Sequence, residues 1–489
     1  MKSKLLFLFL VFTQIVSAQN FTEVMGTPFA GVAQSSIAFA DVDGDNDLDV
    51  LITGLNLDAG SPGDRISKLY TNDGSGNFTE VLGTPFIGVE EGSIAFADVD
   101  GDNDQDVLIT GRSDVGFISR LYTNDGSGNF TEVIGTPFQG VNESSIAFAD
   151  VDGDNDQDVL ITGIQVSSPV YITTARLYIN DGSGSFTEMM NTPFTGVRDA
   201  SIAFADVDGD NDQDVLITGS ADGTGESSKL YSNDGSGGYT EVMGTPFDAV
   251  AYGALAFADV DGDNDLDVLI TGTDGSEGVS KLYSNDGSGN FAEVVGTPFP
   301  GLMGSALAFA DVDGDNDLDV LMTGGTGIFS FQYTGLYTND GSGNFTEVTG
   351  TPFTDLVNGS VAFADVDGDN DQDVLIAGQD PVNYLAKLYL NDRVLSSSDD
   401  LLVDASLNLT PFPNPAASGN LQVRFKSTER NTVIVRVYDF TGRLVSQQEE
   451  FAVIGEQTLL VDIASLPSGS YFIQLENGKK LGVAKFSVQ

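Results

Sequence analysis

The sequence contains no cysteine, no histidine and no tryptophan in 489 residues. Without cysteine there is no disulfide to staple the fold and no thiol to act as nucleophile or soft metal ligand. Without histidine, imidazole is unavailable as a general base or metal ligand, which excludes ordinary zinc and transition-metal sites. Acid–base and nucleophilic chemistry lack their usual carriers, so the chain is not expected to be an enzyme. Positive charge is also scarce. There are 20 Lys and Arg against 73 Asp and Glu, for a formal net charge of −53. That balance argues against nucleic acid and anionic membrane surfaces as partners. Beyond the first residues, no apolar run is long enough to cross a bilayer, so no membrane span is expected in the mature protein.

What the chain has in abundance is aspartate in register. Asp41-Val42-Asp43-Gly44-Asp45-Asn46-Asp47-Leu48-Asp49 opens a series of seven like segments, starting 52 to 57 residues apart. The aspartates are Asp41, Asp43, Asp45, Asp47 and Asp49; Asp98, Asp100, Asp102, Asp104 and Asp106; Asp150, Asp152, Asp154, Asp156 and Asp158; Asp206, Asp208, Asp210, Asp212 and Asp214; Asp259, Asp261, Asp263, Asp265 and Asp267; Asp311, Asp313, Asp315, Asp317 and Asp319; and Asp365, Asp367, Asp369, Asp371 and Asp373. Two carboxylates about 4 Å apart repel by roughly 4 kcal/mol at an effective dielectric near 20, and a hard cation reverses that sign. Oxygen ligands at alternate positions suit Ca²⁺, which takes a flexible shell of oxygens. In the first copy Asp41, Asp43 and Asp45 supply side chains, Asp47 its backbone carbonyl, and Asp49 closes the shell. The sixth position needs a sharp turn, and Asn46 tolerates the left-handed conformation there. One Ca²⁺ per repeat, seven in all, is the expectation. A single acidic loop is ordinarily just solvated, but seven in step argue against that.

Charge is unevenly spread. Residues 401–489 hold eight acids and eight bases, whereas residues 21–400 hold 65 acids and ten bases. The chain opens with a segment, Met1–Ala18, that reads as a secretory signal peptide: Lys2 and Lys4, an apolar run over Leu5–Phe12, then the small-residue cleavage site Val16-Ser17-Ala18.

Each repeat carries four short strand-like stretches bounded by Gly, Asn or Asp, and no helix signals. In the first they are Ser36–Ala40, Val50–Gly54, Lys68–Thr71 and Phe78–Val81. The first two are apolar or small on both faces, as expected of strands packed on both sides. The repeat is therefore a four-stranded antiparallel sheet, and this period points to an all-β fold, a β-propeller with one blade per repeat. The fourth stretch recurs at Phe21, Phe78, Phe130, Phe186, Tyr239, Phe291 and Phe345. Phe21 precedes every aspartate loop and none follows Tyr389, so the strand at Phe21 must complete the last blade and close the ring. Linkers such as Gly83-Thr84-Pro85-Phe86 recur between blades, with Phe free to wedge between them. Lys68, Arg120, Arg176, Lys229, Lys281 and Lys387 share one repeat position, which Gly335 breaks. An ion pair within or between blades is the favoured reading of that position. Residues 393–408 form a linker. From 409 to 489, alternating positions such as Val433, Val435 and Val437 suggest a small β-sandwich.

Two resemblances sit on these motifs. The Asp-x-Asp-x-Asp-x-x-x-Asp loops over 19–392 resemble FG-GAP/VCBS repeats of integrin α-subunit heads and secreted bacterial proteins. That implies a seven-bladed propeller of four-stranded blades with Ca²⁺ in the loop between the two inner strands. Asp41, Asp43, Asp45 and Asp49 match the family's side-chain ligands and Asp47 its carbonyl ligand, while Asn46 departs from its usual Gly. Pro413-Asn414-Pro415, Gly442-Arg443-Leu444-Val445 and Leu466–Tyr471 look like the type A sorting domain of the bacterial type IX secretion system. This implies export first through a signal peptide and then across the outer membrane of a Gram-negative cell, with the secretion machinery as partner.

Propeller geometry places the aspartate loops and Asp-Gly-Ser-Gly turns on one face. The variable loops fall on the other: Leu55–Ser67, Arg112–Ile118, Ile164–Thr173, Ser220–Ser227, Thr273–Val279, Gly325–Thr334 and Gln379–Leu385. Candidate contacts there are Arg65, Arg112, Phe117, Tyr171, Phe329, Phe331, Tyr333 and Tyr384. A repeated scaffold presenting variable loops is a common layout for binding. The expected function is a secreted or surface binding and adhesion module for a glycan or protein ligand. A ligand-free structural coat is the alternative, and a polysaccharide-active enzyme is the less favoured one.

Overall fold

In Asp49–Asn56 the consecutive apolar residues Val50, Leu51 and Ile52 are wholly buried, so this strand is packed on both faces. Around it, Ala33–Ala40, Asp49–Asn56, Asp64–Asn72 and Phe78–Glu80 form an antiparallel sheet in chain order. The computed structural model describes residues 21–57, 63–167, 170–327 and 331–391. Beyond those it describes 402–403, 409–412, 416, 419–427, 430–439, 444–464, 466–467, 469–477 and 480–488. The expected signal peptide, most of the linker, Phe329, Pro413-Asn414-Pro415 and Gly442-Arg443 lie outside the described residues. The chain divides into one unit ending at Arg393 and another beginning at Val394. All described elements are strands.

In the first unit the four-stranded pattern recurs behind the inner strands Ile94–Ala97, Asn142–Ala149, Val197–Ala205, Leu255–Ala258, Leu302–Ala310 and Val357–Ala364. The last group takes its outer strand from the start of the chain. Phe21–Glu23 pairs antiparallel with Tyr384–Asn391, matching Phe21 to Asn391 and Glu23 to Tyr389. The inner strands also pack on both faces, as expected: Ile37 and Phe39 enter one core and Ala38 and Ala40 another, although within Ala33–Ala40 only Ala33, Ile37 and Ala40 are fully buried.

Three devices repeat around the sheets. Each linker Phe packs edge-on against the third-strand Tyr and tilted against the fourth-strand aromatic of the following sheet. Phe86 does so with Tyr122 and Phe130, at 5.1 and 5.0 Å between ring centroids, and Phe353 with Tyr389 and Phe21, at 5.0 and 4.9 Å. The basic series makes ion pairs with the outer strand of its own sheet. Lys68–Glu80, Arg120–Glu132, Lys229–Glu241, Lys281–Glu293 and Lys387–Glu23 lie at 2.5 to 3.1 Å, and Arg176 pairs with Glu188 in the same way. At the exception, Gly335, the Tyr333 hydroxyl fills the space a side chain would need and donates to Glu347 at 3.1 Å. Finally, a buried Asn ends each third strand and reaches the neighbouring sheet. Asn124 Nδ2 donates to Val42 O and Asn391 Nδ2 to Val312 O, while Asn72 Nδ2 joins first to last through Val366 O, all at 2.8 Å.

The second unit has a five-stranded sheet and a three-stranded one. Val433, Val435 and Val437 are buried with Leu421, Val423, Phe425, Ile473, Leu475 and Phe486 in a shared core, as the alternation anticipates. One pairing, Leu402–Val403 with Lys480–Val488, is parallel.

Candidate metal centres and the opposite face

Each aspartate loop begins where an inner strand ends, because Gly44 and Asn46 both take positive φ, at 78° and 70°. Asn103, Asn155, Asn211, Asn264, Asn316 and Asn370 repeat this, at 68° to 72°. The expected left-handed turn at the sixth position is present in every copy. It folds the carboxylates inward. Asp41 accepts from Gly44 N at 2.8 Å and Asn46 N at 3.0 Å, and Asp45 accepts from Asp47 N at 3.0 Å.

Oxygens of Asp41, Asp43 and Asp45 lie within 4.8 Å of one another, as do those of Asp206, Asp208 and Asp210, and of Asp259, Asp261 and Asp263. In the second and third loops the trio is instead Asp98, Asp100 and Asp106, and Asp150, Asp152 and Asp158. The seventh-position residues (Asp47, Asp104, Asp156, Asp212, Asp265, Asp317) turn their carboxylates to a glycine of their own sheet's Asp-Gly-Ser-Gly turn. A Cβ on Gly74 would lie 2.5 Å from Asp47 Oδ2. That leaves the backbone, not the side chain, for a central ion. Loop and turn therefore share one face, and the next sheet's turn closes over them, with Gly128 N donating to Val42 O at 2.8 Å.

Asp49 has a role that spacing alone does not disclose. It is 1% exposed, with Oδ2 accepting from Val42 N at 3.0 Å and Oδ1 from Asn72 N at 2.9 Å. It clamps its loop to the third strand as well as facing the cluster. Burial outweighs those two hydrogen bonds, and the charges of Asp43 and Asp45 add to it, so its pKa is pushed up to about 6. Its counterparts Asp319 and Asp373 reach about 8 and about 7 for the same reason. Asp43 is raised too, first by burial and then by Asp45.

The donor set fits Ca²⁺. Asp43 Oδ1, Asp100 Oδ1, Asp152 Oδ1, Asp313 Oδ1 and Asp367 Oδ1 are buried with no hydrogen-bond partner. A buried acceptor without a donor is costly, and a divalent ion bound by oxygen supplies what the protein does not.

On the other face, the expected variable loops are shorter than the sequence suggests. The second and third strands run on as paired hairpins past the sheet body: Gln165 pairs with Ile172 and Ser167 with Val170, and Ser113 pairs with Gly116. Arg65 is held by Glu90 and Asp114, both at 2.6 Å, so it ties the first sheet to the second. Tyr333 serves Glu347, as above, and Phe331 stands exposed. Arg112, Phe117 and Tyr171 do come together in one groove.

Sequence reasoning missed the mouth of the central space. Gln34, Glu91, Glu143, Asp199, Tyr252, Gly304 and Asn358 occupy one repeat position, each with φ between 46° and 56°. They line a cavity of about 230 Å³. Backbone bonds link neighbours, such as Tyr252 N to Asp199 O and Gly304 N to Tyr252 O, both at 2.8 Å. A signal was available: this position and the one before it vary from repeat to repeat, just ahead of the nearly constant run into the aspartate loop. Asp199 is pushed up to about 6 by burial and by Glu143, against the opposing pull of Arg198.

A family model described as an FG-GAP-like repeat matches residues 98–161, 167–217, 207–270, 259–322 and 328–376, over half the chain. A second model, the secretion system C-terminal sorting domain, matches residues 410–489. No curated protein matches. Among solved structures, the chain is similar to an exo-β-1,3-galactanase from Phanerochaete chrysosporium at 10% identity and TM-score 0.35, over 97% of this chain and 99% of that one. It is similar to AofleA from Arthrobotrys oligospora at 11% identity and TM-score 0.37, over 68% and 90% of the two chains. It is also similar to a fructofuranosidase from Schwanniomyces occidentalis at 10% identity and TM-score 0.32, over 94% and 91%. Scores this low carry no argument about activity. No helix among the described residues is long and apolar enough to cross a membrane.

Proposed function

This chain belongs to the FG-GAP-like repeat family, and on that premise we propose that it is a calcium-binding, seven-bladed propeller serving as a non-catalytic binding and adhesion module for an extracellular glycan or protein. Its C-terminal sorting domain directs it through type IX secretion to the cell surface or extracellular space. One Ca²⁺ per loop takes the first, third, fifth and ninth carboxylates and the seventh backbone carbonyl. When bound, it neutralises carboxylates that otherwise repel or hold protons.

The observation that carries the binding reading is the division of faces. Acidic loops and glycine turns repeat almost unchanged on one side. Departures from the repeat (Glu91, Glu143, Asp199, Phe117, Tyr171) gather on the other. A stiff, repeated scaffold that concentrates its variation on one side is built to present contacts.

Glycan-array and cell-adhesion assays on the exported protein, with Ca²⁺ and with EDTA, test this. Saturable, Ca²⁺-dependent binding to a glycan or cell-surface protein is expected. Absence of any ligand alongside an intact fold would favour a structural coat, and turnover of polysaccharide would replace the non-catalytic reading.

A further inference from the structure

Glu91 and Glu143 line the axial mouth and also a second concavity of about 510 Å³ that runs outward over the second, third and fourth sheets. Arg112, Phe117, Asn142, Tyr171 and Arg198 complete most of its wall. We propose that this groove is a subsite for a neutral oligosaccharide, stacked on Phe117 and Tyr171 and hydrogen-bonded by the amide, carboxylate and guanidinium groups around them. The inference rests on the binding reading above and names its ligand class.

The volume lies within the roughly 300–1,000 Å³ of ligand pockets. Phe117 and Tyr171 project from adjacent hairpin tips, with ring centroids 5.8 Å apart and planes inclined at 35°. Tyr171 is 61% exposed, a large ring held at a groove wall where water must be displaced. Flat aromatic faces suit the C–H faces of pyranose rings.

The polar groups are fixed in advance. Glu91 accepts from Gln34 Nε2 at 2.7 Å through Oε1 and from Asn142 Nδ2 at 2.8 Å through Oε2. Arg198 holds Glu143 Oε2 at 3.1 Å, and Asp222 Oδ2 accepts from Thr173 N at 2.9 Å. Asn142 is 3% exposed, and its Nδ2 steadies the Glu91 carboxylate from within the wall.

Charge selects among ligands. Glu91, Glu143 and Asp222 face Arg112 and Arg198 in one wall. Arg65, Arg112 and Arg198 are the described basic residues of the propeller outside the repeated ion-pair position, and two of them are here. A polyanionic sugar meets three carboxylates and a chain of net charge −53, while a cationic segment meets two guanidinium groups. Hydroxyls donate and accept alike, so they satisfy both kinds of group without carrying charge.

The test uses the full exported protein in Ca²⁺ buffer, with cellohexaose, mannohexaose and laminarihexaose as neutral probes and hexagalacturonate as the anionic comparator, followed by calorimetry. At least one neutral probe is expected to bind. Tyr171→Ala and Phe117→Ala should each weaken it about tenfold. Val382→Ala, at the 85%-exposed hairpin tip of the seventh sheet, should leave affinity unchanged, and all three variants should melt alike. Neutral-probe affinity unaltered in both aromatic variants would overturn the groove while leaving the general binding reading intact. Preference for hexagalacturonate would overturn the neutral ligand class. No binding of any probe would overturn the subsite, and the adhesion assay then decides the broader reading separately. Release of shorter sugars that stops in Tyr171→Ala would support the groove and refute only the non-catalytic role.

Discussion

Asn72→Ala and Asn124→Ala together test whether the sheets form a closed wheel. Both side chains are 6% exposed, and both donate Nδ2 at 2.8 Å to a carbonyl of the neighbouring sheet, Val366 O and Val42 O respectively. The contacts differ only in chain separation, 294 residues for Asn72 and 82 for Asn124. Each carbonyl keeps a second donor, Gly76 N or Gly128 N at 2.8 Å, so the substitution orphans no acceptor. What is lost is the cross-sheet bond and the bond from Asp73 N or Asp125 N to the Asn Oδ1. At about 1 kcal/mol net for each, the expected cost is about 1–2 kcal/mol at either site. Urea unfolding followed by circular dichroism, compared through midpoints at a common slope, measures it. A closed ring makes the two costs equal. A clear midpoint shift for Asn124→Ala with none for Asn72→Ala would refute closure, because only an open array leaves the first-to-last contact without weight.

Three further outcomes are expected. Chelation with EDTA should lower the melting temperature sharply, since each site filled at a hundred times its Kd adds roughly 2.7 kcal/mol; an unmoved melting curve would sink the calcium assignment. Asp199→Asn should stabilise the protein by up to about 2 kcal/mol at pH 8, after discounting for partial exposure. The folded pKa of Asp199 lies above its ordinary value, at about 6, so its stabilising contribution is present at low pH and lost as pH rises through 6. The advantage of the variant should therefore vanish towards pH 4, and a gap that is constant with pH in paired melts would refute the cause. Gly335→Lys should destabilise, because a Cβ there lies 2.1 Å from the Tyr333 hydroxyl. Adding Tyr333→Ser should restore stability by freeing Glu347 for the ion pair its counterparts make, and failure of the pair to recover in thermal melts would show that the tyrosine is not the obstacle.

Much of this architecture was legible in the residues. The offset of Phe21 before the first aspartate loop announces the pairing with Asn391, because an unpaired edge strand is a liability. The basic position before Leu-Tyr announces its ion pair, since a lone cation in a strand seeks a partner. Less legible were features set by neighbours far away in sequence. Asp49 reads as a metal ligand, but its clamp on Val42 and Asn72 depends on the third strand lying alongside. The hairpin tips look like loops because their sequence differs from copy to copy and Ser167-Ser168-Pro169 reads as a break, although Val166 and Val170–Ile172 around it are good strand formers that continue the pairing. The mouth residues escape notice because their meeting requires closure, and because Glu91, Glu143 and Asp199 sit in a left-handed conformation that their residue types do not advertise.

The borrowed outer strand has a consequence for how the molecule is made. Phe21–Glu23 emerges from the ribosome early, yet its partner Tyr384–Asn391 is among the last parts of the wheel to be synthesised. Until then the leading segment has no edge to join, and the final sheet is one strand short. Contacts of such long sequence separation form slowly and expose unpaired edges in the interim. Completion of the wheel is thus a late, single event that joins the two ends of the array, and a chain interrupted before Tyr384 lacks the surface that would hold its own beginning.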